Sequence, residues 1–125
     1  MSTAERFRAA VESGDPASAV DLFTSDVVFN SPVVHKPYQG REALAAILGA
    51  VGTVFENFHY TAEYSGPDGH VLVFRADVGG RQLEGVDIVR TGEGPDDLLT
   101  ELTVLVRPYS AATELRERMA ALLTG

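Results

Sequence analysis

Between His70 and Arg90 apolar and polar residues alternate on both sides of a Gly79-Gly80 pair, and this pattern restricts the fold more than any other stretch. Leu72, Phe74, Ala76 and Val78 occupy every second position, which marks one buried face of a strand. The paired glycines permit the positive φ angles of a type I′ hairpin turn. If Val78 pairs with Arg81, Gly85 falls opposite Phe74 and Asp87 opposite Leu72. Directly opposed residues share a face of the sheet, so this register sets a carboxylate on an apolar surface. An ionised acid is costly there unless something binds it, and burial raises its pKa. Asp87 is therefore the first candidate for acid/base chemistry. The competing reading is structural, with Asp87 bonded to a backbone amide or to Tyr60 and organising the core.

The rest of the chain supplies layers around that hairpin. Ser2 and Glu5 form a capping box for a first helix, with Phe7, Ala10 and Val11 on its inner stripe. Gly14 closes it, and Asp15-Pro16 opens a second short helix whose inward side is expected to carry Val20 and Phe23. Val27 to Phe29 reads as a short strand, and Ser31 to Gly40 as an ordered loop. A third helix follows with Leu44, Ile47, Leu48 and Val51 on one face. Phe58 to Tyr64 reads as a strand with its even positions inward, and Gly66-Pro67-Asp68-Gly69 as a turn. After the central hairpin come a polar loop, Thr91 to Asp97, and a long strand with Leu98, Leu102, Val104 and Val106 on one face. Ser110 is expected to cap a closing helix bearing Leu115, Met119 and Leu122. The order predicts an α+β fold in one domain spanning residues 1–125. Helices can cover only part of a curved sheet's concave face, and the uncovered part becomes an apolar cavity of the kind that takes small molecules.

Charge and composition remove several function classes. A formal net charge of −8 leaves no basic stripe for phosphates, which argues against nucleic acid and anionic membrane surfaces. With no cysteine, disulfides and thiolate chemistry are excluded. No apolar run approaches a membrane span, and the polar start is unlike a signal peptide, so a cytoplasmic location is expected. No group of acids or histidines has metal-ligand spacing, so neither a metal nor another cofactor is expected. Gly79-Gly80 and Gly92-Glu93-Gly94 lack the strand–glycine–helix context of a phosphate cradle.

In four segments taken together the chain resembles the nuclear transport factor 2-like superfamily, in its SnoaL-like and ketosteroid-isomerase-like branch. They are Glu12-Ser13-Gly14-Asp15, Phe29-Asn30-Ser31-Pro32, Gly40-Arg41-Glu42-Ala43-Leu44 and Val86-Asp87-Ile88-Val89-Arg90. The resemblance implies a cone in which a curved antiparallel sheet and N-terminal helices enclose a deep pocket, commonly in a dimer. It also implies functional positions, and these match only in part. The base of ketosteroid isomerases falls on Ser31, which cannot abstract a carbon-bound proton unaided. Their first-helix tyrosine falls on Phe7, whereas their strand aspartate, a hydrogen-bond donor kept protonated in that family, falls on Asp87. In SnoaL-type polyketide cyclases a last-strand histidine accompanies the strand acid, and Leu102 stands in its place. In limonene epoxide hydrolases a second aspartate is needed, and neither Thr100 nor Leu102 supplies it.

Two readings follow. In the first, the chain is a cofactor-free isomerase, cyclase or hydrolase acting on an apolar carbonyl or polycyclic compound. Asp87 is then the acid/base or proton donor, with His35 or Tyr38 assisting from the pocket mouth. In the second, it is a non-catalytic binding or accessory domain that keeps the pocket without the chemistry. Both expect an apolar small-molecule ligand against Phe29, Ser31, Tyr38, Tyr60, Leu72, Phe74, Leu102, Val104 and Val106. The outward residues Val71, Val73, Val86, Ile88, Leu99, Thr103 and Leu105 predict a homodimer packed through the outer sheet face.

Overall fold

Ser2 starts the fold as an N-cap. Its hydroxyl accepts from the Glu5 amide at 3.2 Å, and the Glu5 side chain returns to the Ser2 amide at 3.4 Å, closing the capping box of helix α1 (Thr3–Glu12). This is a computed structural model that describes residues 2–92, 94 and 97–124. Helix α2 (Pro16–Val20) is capped by Asp15, whose carboxylate accepts from the Ser18 amide at 3.2 Å and hydroxyl at 2.6 Å. Phe23 does not continue that helix. It begins strand β1 (Phe23–Asn30), fully buried and edge-on to Phe7 with ring centroids 5.6 Å apart. The Arg41 guanidinium, at the start of helix α3 (Arg41–Val54), fixes this corner by donating to the Phe23 carbonyl at 2.8 Å. The loop after β1 contains a two-residue strand, β2 (Tyr38–Gln39), paired back onto β1.

The remaining strands are β3 (Glu56–Gly66), β4 (Gly69–Val78), β5 (Arg81–Thr91) and β6 (Leu99–Arg107), closed by helix α4 (Tyr109–Thr124). They form a curved, unclosed six-stranded sheet in the order β2-β1-β6-β5-β4-β3. One pairing departs from the antiparallel expectation: β1 runs parallel to β6, joining the two ends of the chain. The β4–β5 register is the one the Gly79-Gly80 turn predicts, with Val78 opposite Arg81, Gly85 opposite Phe74 and Asp87 opposite Leu72. Both turn glycines hold positive φ, +55° and +81°.

Two irregularities rearrange faces that strict alternation would assign otherwise. An extra residue in β3 between Tyr60 and Ala62 moves Ala62 and Tyr64 outward, leaving Tyr64 64% exposed, and turns Glu63 inward opposite Leu72. A shift between Arg90 and Thr91 does the same at the start of β6. There Leu99 is fully buried and Leu98 exposed, the reverse of the expected assignment, so Leu99 leaves the outward patch. At the far end of β6 the helix begins at Tyr109, one residue ahead of the expected Ser110 cap, and the Pro108 carbonyl accepts from the Ala111 and Ala112 amides.

The helices all lie on the concave side, where they meet Leu72, Phe74, Val78, Val89 and Leu102, each buried. Gly85 is the one inner position on β5 without a side chain, and Phe74 fills that space: a Cβ there would lie 2.5 Å from the Phe74 ring and 2.7 Å from the Leu105 carbonyl. Gly85→Val is therefore expected to destabilise the fold by about 3 kcal/mol, the upper range for overpacking. Urea unfolding measures this, and a midpoint equal to that of the wild type would show that Phe74 yields without cost.

Candidate functional site

Asp87 sits at the middle of β5, flanked across the ladder by Leu72 on β4 and Val104 on β6, so apolar neighbours stand on both sides. Its partner comes from two strands away. Tyr60 on β3 lies opposite Phe74, and its side chain spans β4 to donate from the hydroxyl to Asp87 Oδ2 at 2.7 Å. Phe58 meets the Tyr60 ring edge-on at 5.0 Å, and the Arg8 guanidinium lies 5.4 Å from the ring centroid. Arg8 is held there by Glu63 at 3.2 Å, the residue the β3 irregularity turns inward, and by Glu12 at 3.4 Å.

Burial is what sets the chemistry of this pair. Asp87 is 8% exposed, and loss of solvent pushes its carboxyl up to about 7 although the Tyr60 hydrogen bond pulls it down. The Tyr60 phenol is driven well above its ordinary range by burial and by the adjacent carboxylate, so it stays a donor. With Oδ2 occupied, Oδ1 is the oxygen without a hydrogen-bond partner among the described residues. A carboxyl group balanced near neutrality can give or take a proton at that oxygen.

Asp87 lines a cavity of about 690 Å³ enclosed by the sheet, α1, α2, α3, α4 and the loop after β1. Phe55, Phe58 and Phe74 form an aromatic wall, with centroids of 5.8 Å between Phe55 and Phe58 and 4.9 Å between Phe58 and Phe74. Phe29 and Tyr38 face it as a second pair at 6.2 Å. Leu115, Met119 and Leu123 of α4 complete the enclosure.

Of the residues singled out in the sequence, Phe29, Ser31, Tyr38, Phe74, Asp87, Leu102 and Val104 line this cavity together. Tyr60 and Leu72 are buried behind it, Tyr60 touching it through Asp87. Val106 packs against the core outside the lining, and His35 is exposed on the loop and does not line the cavity. The structure thus brings Asp87 together with Tyr60 and not with His35. Phe55, at the end of α3, and the α4 residues Arg116 and Leu123 belong to the site without having been marked. Their signal is faint: Phe55 interrupts no periodic pattern, and in α4 it is Leu123, itself 42% exposed, and not the Leu122 of the helical stripe that reaches the cavity lining. Among the described residues no group of three or more acids and histidines could hold a metal ion, and no helix is long and apolar enough to cross a membrane.

A comparison with family models decides the lineage: the SnoaL-like domain matches residues 4–102. The chain belongs to the SnoaL-like family. Solved structures agree. A steroid delta-isomerase from Pseudomonas aeruginosa is 35% identical with a TM-score of 0.90, over 98% of this chain and 89% of that one. An uncharacterised bacterial protein with a cystatin-like fold from Silicibacter pomeroyi is 34% identical with a TM-score of 0.87, over 95% and 83%. A putative SnoaL-like polyketide cyclase from Shewanella denitrificans shares the fold at 16% identity and a TM-score of 0.68, over 92% and 95%. No curated protein matches the chain. This SnoaL-like protein therefore carries the cone fold of its family with Phe7 and Ser31 where resemblance places the tyrosine and aspartate of ketosteroid isomerases. Phe7 is buried against Phe23, and the Ser31 hydroxyl accepts from the Val33 and Val34 amides at 3.1 and 3.2 Å.

Proposed function

We propose that this SnoaL-like protein is a cofactor-free enzyme that moves a proton on an apolar carbonyl compound, with Asp87 as its acid/base. The observation that carries this reading is the Tyr60–Asp87 pair at 2.7 Å on the wall of an otherwise apolar cavity. Tyr60 engages one carboxyl oxygen and leaves the other for the ligand. In the neutral form that oxygen donates a hydrogen bond to a carbonyl oxygen, stabilising charge as it develops there. In the ionised form it accepts a proton from the adjacent carbon and can return it elsewhere, an isomerisation without external reagents. Tyr38 also lines the cavity and is the candidate to steady the carbonyl. A cytoplasmic, small-molecule role suits this reading.

A non-catalytic binding domain is the second reading, and one observation favours it. Phe7 is committed to packing and has no hydroxyl, and the Ser31 oxygen accepts two backbone amides, so neither adds a base beside Asp87. The two readings separate in deuterium oxide. Apolar cyclic ketones and enones are incubated with the protein, and exchange of the protons next to the carbonyl is followed by NMR. Exchange faster than in buffer, lost in Asp87→Asn, is the expected result. Ligand binding seen by line broadening, with no exchange for any compound, would leave the binding-domain reading.

A further inference from the structure

The polar side chains on the cavity wall divide by whether their bonding capacity is already used. The acidic ones are largely committed, with Asp87 Oδ1 the exception. Glu12 pairs with Arg8 at 3.4 Å, Asp15 caps α2 through Ser18, and Asp87 Oδ2 receives Tyr60. The open ones are donors. The Ser31 oxygen accepts two amides, yet its own hydrogen bonds to nothing among the described residues. The Tyr38 hydroxyl and the Arg116 guanidinium likewise have no hydrogen-bond or ion-pair partner among the described residues. Arg116 projects from α4 and is the single basic residue of the lining, whereas the other arginine of that helix stretch, Arg118, is spent on Glu114 at 2.9 Å.

A wall whose open side chains donate is matched by a ligand whose polar atoms accept, and a lone unpaired guanidinium by a carboxylate. We infer that the natural ligand is an apolar carboxylic acid, with its carboxylate at Arg116 and an acceptor oxygen, such as a ketone, at the Asp87 end. The inference rests on the cavity being the ligand site. Arg116 is exposed, so it lies at the rim where a carboxylate keeps part of its hydration while the apolar body fills the interior. An ammonium ligand meets the opposite situation at the rim, because Glu12 and Asp15 already have partners and the Arg116 cation repels it.

Three fluorescent probes of one shape test this: 1-pyrenebutyrate, its methyl ester and 1-pyrenebutylammonium. The carboxylate is expected to bind about tenfold tighter than the ester, the scale of one charge-assisted hydrogen bond, and tighter still than the ammonium. Arg116→Gln should bring the carboxylate to the level of the ester and leave the ester unchanged. Equal affinities for the three, preference for the ammonium, or a carboxylate indifferent to Arg116→Gln would overturn the inference while leaving the cavity as the site. Val104→Trp, which fills the interior from β6, separates the two failures: if the probes still bind to it with undiminished affinity, the cavity itself is not the site and the inference falls with it.

Discussion

Asp87→Asn should make the protein more stable at pH 8 and nearly unchanged at pH 4. The folded state holds the Asp87 proton up to about pH 7, whereas the unfolded chain releases it near the ordinary 3.8. Between those values the folded state binds more protons than the unfolded one, so this carboxyl lowers stability progressively as pH rises, and the full cost is in place above pH 7. A difference of that size corresponds to a few kcal/mol, on the order of 4. Asparagine keeps an oxygen for the Tyr60 hydroxyl and has no proton to lose. Urea unfolding of both proteins at intervals from pH 4 to pH 8 isolates the effect, because the other seventeen acids of the eighteen cancel in the difference. Parallel curves would mean that Asp87 is ionised in the folded protein throughout, and the proton-donor role would go with that result. The same substitution is expected to remove proton exchange on the ketone substrates, so stability rises as activity is lost. Such an opposition is the pattern of a group kept for chemistry at a cost to the fold.

The second large effect concerns the convex face of the sheet. Val71, Val73, Val86, Ile88, Thr103 and Leu105 adjoin one another across β4, β5 and β6, with Leu105 54% exposed. Ion pairs close the patch at both ends: Arg75 and Arg107 meet Glu84 at 3.3 and 3.8 Å, and Arg90 meets Glu101 at 2.8 Å. All four helices pack on the other side. We propose that two copies associate through this face, apolar at its centre and charged at its rim, about a two-fold axis. Ile88→Glu would then place an unpaired carboxylate from each copy near the axis and weaken association by about a thousandfold or more. Light scattering across micromolar concentrations should show a dimer for the wild type and a monomer for the variant. A wild-type monomer, or a dimer untouched by the substitution, would send the search for the interface elsewhere.

How far the sequence reached depended on whether a single local rule decided the outcome. The β4–β5 ladder was legible because a two-residue glycine turn leaves one register, and Asp87 was legible with it. Strict alternation failed at Tyr64 and Leu99 because one extra residue in a strand reverses every face beyond it, and the residues there carry no composition that announces the insertion. Phe23 was misplaced for a related reason: an aromatic residue three positions beyond Val20 continues a helical stripe on paper, while in the fold it is the first rung beside Leu99. The Tyr60–Asp87 bond spans 27 residues and two strand crossings, so it was one option among several until the β3 register was known. His35 drew attention by its chemistry alone, and nothing in the loop sequence fixed its direction.

The roof of the cavity comes from the last helix of the chain and its floor from the sheet. The SnoaL-like match ends at residue 102, while Leu115, Arg116, Met119 and Leu123 that close the cavity all follow it. Asp87 on β5 and the α4 residues that close the cavity are thus carried by separate elements of the fold. On the proposed reading, such a division would let changes in α4 alter what the cavity accepts with Asp87 left in place. Grafting the closing helix of a relative onto this sheet would be a direct way to ask whether the cavity's preference follows α4.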